Sequence, residues 1–477
     1  MTDPFVVVGG DAAGLSAASK CKREDPDREV VVFEKGQWVS YAHCGTPYFV
    51  KGEIDSLGDL LSLSPEEVGE RGIDLRRGHE VVGIDTERET VTVEGPDGQT
   101  TRPYGDLLLA TGAHAVTSPI EGHDLAGVHT MHGLDSAAAT RAHLLDPAVD
   151  ALADLGGERF VDTDLVERYG AMVPPETVAI VGGGYVGVEM AEAFSAHGLD
   201  VHLFQRGDHL VPPFGEAVAE AVADELREQG VTLHLNTEVS RLDGDGERVE
   251  RLVCADGTAL DVDLALVGIG IRPNTGIVED TPIELGESGA VAVDDYGRTS
   301  VDGVYAAGDV AEMRHAVTGE HDWVPLGLTA NRAGRAIGWT VAGEAEPVGD
   351  IAGTAVLKAF DLECGRTGIT DHDRAREAGF DPVSETITAG SRSGYYPGAA
   401  ETTVTLVGDR ESGRLLGGTI AGTDRAAVRI DILATALEGD ATVAELERTD
   451  LAYAPPFSPV WDPVLTGAKV LRGSLDP

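Results

Sequence analysis

Apolar and polar positions at the start of the chain follow the rhythm of strand, turn and helix. Phe5-Val-Val-Val8 is too short an apolar run for a helix and rich in β-branched residues, so it predicts a buried strand. Gly9-Gly-Asp-Ala-Ala-Gly14 follows, then an alanine-rich helical stretch, then a second apolar run, Val30-Val-Val-Phe33. This order predicts a βαβ unit. The pattern returns at Val178-Ala-Ile-Val181, Gly182-Gly-Gly-Tyr-Val-Gly187, a helical run from Val188 to His197 and a strand Val201-His-Leu-Phe204. Two nucleotide folds in one polypeptide are the expectation.

Between the two units, residues 145–176 are rich in Asp, Glu and Pro, and Pro174-Pro175 immediately precedes the second unit, which marks a connection. Beyond it come a hairpin-like segment around Asp256-Gly257, a strand Leu264 to Val267 and the run Gly303-Val-Tyr-Ala-Ala-Gly-Asp309. From about residue 346, β-like runs such as Thr402 to Val407 and a helix near Ala426 to Leu437 predict a separate α+β domain.

The glycine runs carry the first chemistry. A dinucleotide pyrophosphate needs a tight turn, close backbone approach and the positive end of a helix, so glycines are required where strand passes into helix. The second run has every position filled, with Gly182, Gly184 and Gly187. The first has Gly9 and Gly14 but places Asp11 at the middle position, with Gly10, Ala12 and Ala13 completing the loop. Glu34, 20 residues after Gly14 and at the end of the second strand, supplies a carboxylate for a ribose hydroxyl, with Lys35 beside it. In the second unit the strand end reads Phe204-Gln205-Arg206, which tilts the expected nicotinamide cofactor toward NADPH over NADH, although Gln205 can also bond a free hydroxyl. Tyr185 and Glu189 lie in this second turn and helix.

Charge narrows the partners. Lysine and arginine total 36 against 82 acidic residues, a formal charge of -46 that would repel phosphate backbones and anionic membrane surfaces. The acids are scattered through apolar segments instead of forming one block, so a globular chain with a salt-adapted surface is expected. Lysine is scarce, and a halophilic cytoplasm fits. Four cysteines, Cys21, Cys44, Cys254 and Cys364, show no metal-ligand or disulfide-framework spacing, so no metal is expected and a reducing compartment is. Met1 to Gly9 lack the basic start of a signal peptide, and no apolar window long enough to span a membrane follows.

With these motifs in place, the sequence resembles the pyridine nucleotide–disulfide oxidoreductase superfamily over nearly its whole length. Leu107-Leu-Leu-Ala-Thr-Gly-Ala113, containing Thr111 and Gly112, resembles the segment closing the first flavin half. Leu266-Val-Gly-Ile-Gly-Ile-Arg-Pro-Asn274, with Gly270, resembles its partner after the nicotinamide domain. Gly303 to Asp309 resembles the second flavin motif, in which Gly308 and Asp309 would meet the FAD ribitol, and Thr329 to Arg335, with Ala330, would pack beside the flavin. The resemblance implies an α/β fold of two Rossmann-like domains plus a C-terminal α+β dimerisation domain. FAD would bind residues 1–115 and 272–345, NADPH or NADH residues 116–271, and residues 346–477 would form a homodimer interface.

Ser40-Tyr-Ala-His-Cys-Gly-Thr-Pro-Tyr48 is similar to the single-cysteine motif of coenzyme A disulfide reductases and their NADH oxidase and peroxidase relatives. By that likeness Cys44 is the redox residue, with Ser40 and His43 beside it. Pro47 suits a helix's first turn, so the helix dipole is expected to lower the Cys44 thiol pKa. The glycine loop has Ala12 and Ala13 where oxygen- and peroxide-reducing relatives carry a histidine, which favours disulfide reduction. Tyr395-Tyr396 and Tyr453, within Tyr453-Ala-Pro-Pro-Phe-Ser458, resemble tyrosines that reach the partner's active site, with Tyr453 the first choice for a proton donor. The implied reaction is NAD(P)H-dependent reduction of a small disulfide through a mixed disulfide on Cys44, with coenzyme A as the first thiol and γ-glutamylcysteine another. A cysteine sulfenic acid oxidase and an electron-transfer protein serving a protein partner are the rival readings.

Overall fold

The computed structural model describes residues 4–155 and 160–475, so the first three residues, part of the acidic stretch and the last two residues lie outside the described residues. Five parallel strands form the first sheet, in the spatial order Val304–Ala306, Asp106–Leu109, Phe5–Val8, Val30–Glu34 and Asp74–Arg77. The central strand is buried on both faces, which is why its sequence is continuously apolar instead of alternating. Phe5 and Val7 pack under helices Ala12–Glu24 and Gly327–Val341, whereas Val6 and Val8 face an antiparallel layer of Glu80–Asp85, Thr90–Gly95 and Gly98–Pro103. The two helices touch through Gly334, where an added Cβ would stand 2.1 Å from the Ala13 carbonyl oxygen. That contact brings the late segment of the chain onto the first glycine loop.

The second sheet repeats the plan with Thr232–His234, Asp200–Phe204, Thr177–Val181, Leu264–Val267 and Val128–His129, again all parallel. Helix Tyr185–Ala196 follows its glycine turn, and an antiparallel layer of Val239–Gly244, Val249–Cys254 and Ala259–Asp261 covers the other face. Two short antiparallel strands, Ala113–Ala115 and Ile271–Pro273, carry the chain between the sheets.

The acidic stretch is more than a connection. Helix Thr163–Gly170 starts where the Asp162 carboxylate accepts from Leu165 N at 3.0 Å, and it buries Val166 and Tyr169. Tyr169 lies against His129 and His143, whose rings bond each other at 3.1 Å (Nε2 to Nδ1). Burial, and then the neighbouring His143, push His129 down to about 3, and burial pushes His143 down to about 4.

The C-terminal domain is an antiparallel sheet of five strands in the order Ala355–Ala359, Leu362–Gly368, Leu415–Gly422, Glu401–Asp409 and Pro382–Gly390, with helices Ile430–Glu438 and Pro463–Leu475 packed on it. This is the α/β architecture of two nucleotide folds plus an α+β domain that the element pattern predicts.

Candidate active site

The two glycine turns are nearly superposable in their steric demands. Gly9 and Gly182 have φ of +111° and +112°, and a Cβ on either would meet a carbonyl oxygen, that of Ala110 at 2.1 Å or of Gly268 at 2.2 Å. At Gly14 and Gly187 a Cβ would stand 1.9 Å from the carbonyl oxygens of Gly9 and Gly182. Only glycine lets strand and helix approach this closely. Neither following helix is capped by a side chain, so the first-turn N–H groups are left for an anion.

At the strand ends the halves diverge. Glu34 accepts from Gly10 N at 2.8 Å and from Gly36 N at 2.7 Å, which orients its carboxylate beside the loop. Gln205 stands in the equivalent place, accepting from Gly183 N at 3.1 Å and donating to the His209 carbonyl at 3.1 Å. Lys35 and Arg206 are both exposed. The first turn fits a dinucleotide with a ribose on Glu34, and the second fits one whose ribose meets a neutral amide with an arginine nearby.

Asp11, at the middle position of the first loop, points elsewhere. Its carboxylate accepts from Tyr41 N at 3.0 Å and bonds His43 Nε2 at 2.5 Å, tying the glycine loop to the cysteine segment. Ser40 N donates to the Gly10 carbonyl at 3.1 Å, and Ser40 itself has φ +50°, a left-handed conformation that costs a non-glycine residue on the order of 1 kcal/mol. Burial is the largest single influence on His43 and opposes its charge, but the bond to Asp11, the Asp11 and Asp309 charges and a backbone hydrogen bond together hold the imidazole above its ordinary value.

Cys44 lies in the 3₁₀ turn His43–Gly45 ahead of helix Thr46–Lys51, with Pro47 in the first turn. It is exposed, whereas Cys21, Cys254 and Cys364 are buried, and burial raises Cys21 to about 11 and Cys364 to about 12. The expected lowering of the Cys44 thiol pKa is corrected by its surroundings. Desolvation comes first, then the Glu189 carboxylate, and together with Asp309 they push the thiol up against a lowering backbone hydrogen bond. A helix of six residues has too small a dipole to overcome two carboxylates.

The cysteine helix is locked onto helix Tyr185–Ala196, which follows the second glycine turn, by two rungs. Tyr48 Oη donates to Glu189 Oε1 at 3.4 Å, and one turn on, Lys51 Nζ donates to Glu192 Oε1 at 2.6 Å. Glu192, only 4% exposed, also accepts from Lys358 Nζ and from Phe360 N, both at 2.8 Å, so it joins segments of all three domains. The Val50 carbonyl adds a bond to His197 Nε2 at 2.8 Å. Burial pushes the Glu189 carboxyl up to about 7, with Tyr48 opposing and Glu192 adding to the rise. Motif reading places Glu189 with the nucleotide and misses its pairing to the cysteine helix. The matching three-residue spacings Tyr48/Lys51 and Glu189/Glu192 are the signal that could have found it.

Of the remaining motif residues Asp309 reaches Cys44 and His43, whereas the tyrosines of the C-terminal domain stand apart from them within one chain. Gly308, at φ +80°, packs against Ala13 and Ala330, and the Asp309 carbonyl accepts from Trp323 Nε1 at 2.9 Å. Burial raises the Asp309 carboxyl, with His43 opposing. Thr111 Oγ1 donates to the Asn274 carbonyl at 2.8 Å, and Gly112 and Gly270 both have positive φ, at the crossing between the sheets. Tyr185 opens the second helix and rests on Phe214. Tyr395, Tyr396 and Tyr453 lie on exposed loops of the C-terminal domain, Tyr395 at 81% and Tyr453 at 61% exposure. Arg429 holds those loops together, bonding Asp462 Oδ2 at 3.0 Å and the Ser391 carbonyl at 2.6 Å. Among the described residues no group of His, Cys, Asp and Glu could hold a metal ion, and no helix is long and apolar enough to cross a membrane.

Two uncapped glycine turns facing a lone exposed cysteine define a nucleotide-dependent oxidoreductase, and comparison with known proteins makes the class specific. Residues 3–326 match the pyridine nucleotide-disulphide oxidoreductase model and residues 354–463 its dimerisation domain, and the chain belongs to this family. It is 38% identical over 475 residues to the NAD(P)H coenzyme A polysulfide/persulfide reductase of Pyrococcus horikoshii, covering 99% of each chain. A coenzyme A disulfide reductase of Staphylococcus aureus is 28% identical over 458 residues, 95% of this chain and 96% of that one. The crystal structure of an NAD-dependent persulfide reductase from A. fulgidus superposes with a TM-score of 0.88 at 32% identity, over 99% of this chain and 83% of that chain.

Proposed function

We propose that the chain is an FAD-dependent NAD(P)H:disulfide oxidoreductase that reduces the S–S bond of a small thiol, coenzyme A disulfide first, through Cys44. One observation carries the reading: Cys44 alone of the four cysteines is exposed, and its helix is bonded to the helix that follows the second glycine turn. Glu34 and the open first turn of helix Ala12–Glu24 would hold FAD, and the turn at Gly182–Gly187 with Gln205 and Arg206 would hold NAD(P)H. Bound there, FAD would supply the two-electron chemistry that links the nicotinamide hydride to sulfur. Cys44 attacks the substrate disulfide as thiolate, keeps one thiol as a mixed disulfide and releases the other. Asp11 holds the His43–Cys44 segment against the flavin-side loop while this happens.

Coenzyme A persulfide or polysulfide is the second reading, favoured by the 38% identity to the Pyrococcus enzyme. The sulfur chemistry is shared, since thiolate attacks an S–S bond in either substrate. Two copies would associate through the C-terminal domain and present Tyr453 and the Tyr395-Tyr396 loop to each other. Mass spectrometry of the non-reduced protein should find a thiol adduct on Cys44 whose mass identifies the thiol. Anaerobic turnover with coenzyme A disulfide and with its persulfide ranks the substrates, and oxygen uptake matching NAD(P)H consumption would instead make the chain an oxidase.

A further inference from the structure

Besides the rungs, two further contacts flank Cys44 along the chain, and both come from one helix, Leu134–Leu144. In its first turn, Asp135 Oδ1 accepts from Trp38 Nε1 at 2.9 Å, ahead of the cysteine. In its last turn, Arg141 Nη1 donates to the Phe49 and Ile54 carbonyls, both at 3.1 Å, near and beyond the end of the cysteine helix. The same guanidinium lies 4.6 Å from the Phe49 ring. Each of these two residues also carries a bond into the acidic stretch. Asp135 Oδ1 accepts from Asp162 N at 3.0 Å, and Arg141 Nε donates to Asp154 Oδ2 at 3.1 Å. Phe160 sets its ring edge-on to Trp38 at 5.8 Å, and Leu155 and Val161 share one buried cluster with Trp38, Phe49 and Leu134. Sequence motifs give this stretch no role, yet its contacts end on the segment that carries Cys44.

We propose that helix Leu134–Leu144 and the acidic stretch form a two-point clamp on segment 38–54, with Asp135 and Arg141 as positioning residues for Cys44. The inference rests on the disulfide-reductase reading for what Cys44 does, and on the contacts alone for where it is held. A six-residue helix is far below the roughly 12 to 15 residues that hold alone in water, so its place is set by what grips it. The rungs grip it through Tyr48 and Lys51, whereas the clamp grips its end and the chain leading into it. Arg141 suits the task because its planar fork serves two carbonyls and a carboxylate at once. Its side chain is only 14% exposed, so Asp154 supplies the anion that offsets the buried charge. Placement matters because a misfit of about 1 Å at a reacting atom costs on the order of 100-fold in rate.

The test is amide hydrogen exchange of a peptide covering residues 46–55 in the FAD-loaded protein, which reads placement without turnover. Arg141→Met should speed exchange there by roughly tenfold, and Asp154→Asn, which acts on the segment only through Arg141, by roughly threefold. Asp164→Asn removes the same charge from the same stretch outside the clamp and should leave this peptide unchanged. In steady state, Arg141→Met should lower kcat with coenzyme A disulfide by about tenfold while KM for NAD(P)H stays within about twofold. Arg141→Lys keeps a donor for the carbonyls and should recover part of that loss. Unmoved exchange in both Arg141→Met and Asp154→Asn overturns the clamp, and so does an equal rise in Asp164→Asn. Should Arg141→Met fail to fold, Asp154→Asn decides alone. Faster exchange with kcat intact would overturn the positioning role, whereas faster exchange in a protein that reduces no disulfide even as wild type would sink the proposed function and leave the clamp standing.

Discussion

The two nucleotide halves are built on one plan and used for two purposes. Their turns make the same two steric demands, one at Gly9 and Gly182 and one at Gly14 and Gly187. They differ where a side chain meets chemistry. The first half has Asp11 where the second has Gly184, and Glu34 where the second has Gln205. Asp11 turns its carboxylate onto the cysteine segment, whereas a Cβ at Gly184 would meet nothing within 4 Å. In the proposed mechanism the first turn is thereby part of the reactive centre and the second is a docking surface. Glycines set what the backbone can approach, and two substitutable positions set what the site does with it.

The sharpest break between the halves is at sulfur. Cys44→Ser should lower disulfide reduction by on the order of 1000-fold while NAD(P)H-driven reduction of ferricyanide stays within about twofold. Loss of both activities together would show that Cys44 is needed by the nucleotide half as well. Next in size, Gly187→Ala should raise KM for NAD(P)H by on the order of 100-fold with flavin content unchanged, whereas Gly14→Ala should yield colourless protein. Absorbance and steady-state kinetics on the two variants read the separation directly. Gln205→Glu gives the second half the acid of the first, and the ratio of kcat/KM for NADH over NADPH should rise by about tenfold.

The smallest effect concerns acid stability. His129 and His143, packed in the second half, are held below their ordinary values, so the unfolded chain binds protons that the folded chain refuses. Stability should therefore be full above about pH 6.5 and fall as pH drops toward 4, by on the order of 1 kcal/mol per pH unit. Urea unfolding at pH 7 and pH 5, followed by a probe in residues 128–267, should show the loss, and His129→Gln should flatten the slope.

Much of this plan can be read from sequence because glycine turns and continuous apolar strands are local signals. Strands Val30–Glu34 and Glu401–Asp409 lie over the apolar runs that predict them, whereas the helix expected from Val188 already begins at Tyr185. The acidic stretch hides a packed helix because Val166 and Tyr169 are spaced among acids that dominate its composition. The Cys44 thiol is illegible from its motif for a different reason: its pKa is raised by burial and then by Glu189 and Asp309, more than 140 residues away, and motif context reports only the neighbours in the chain. Glu34 and Gln205 show the intermediate case, where position along the strand is local but the bond back to the loop is tertiary.

Glu192 has one more consequence. The chain contains only six lysines, and the ammonium groups of two of them, Lys51 and Lys358, end on this one carboxylate. Acylation of surface amines therefore strikes few places, and one of those is the seam where three domains meet. Stripped of both cations, a nearly inaccessible anion would be stranded at a cost of about 3 to 5 kcal/mol, enough to let the C-terminal domain part from the rest. A trace amount of acetylating agent should thus act on this molecule as a wedge.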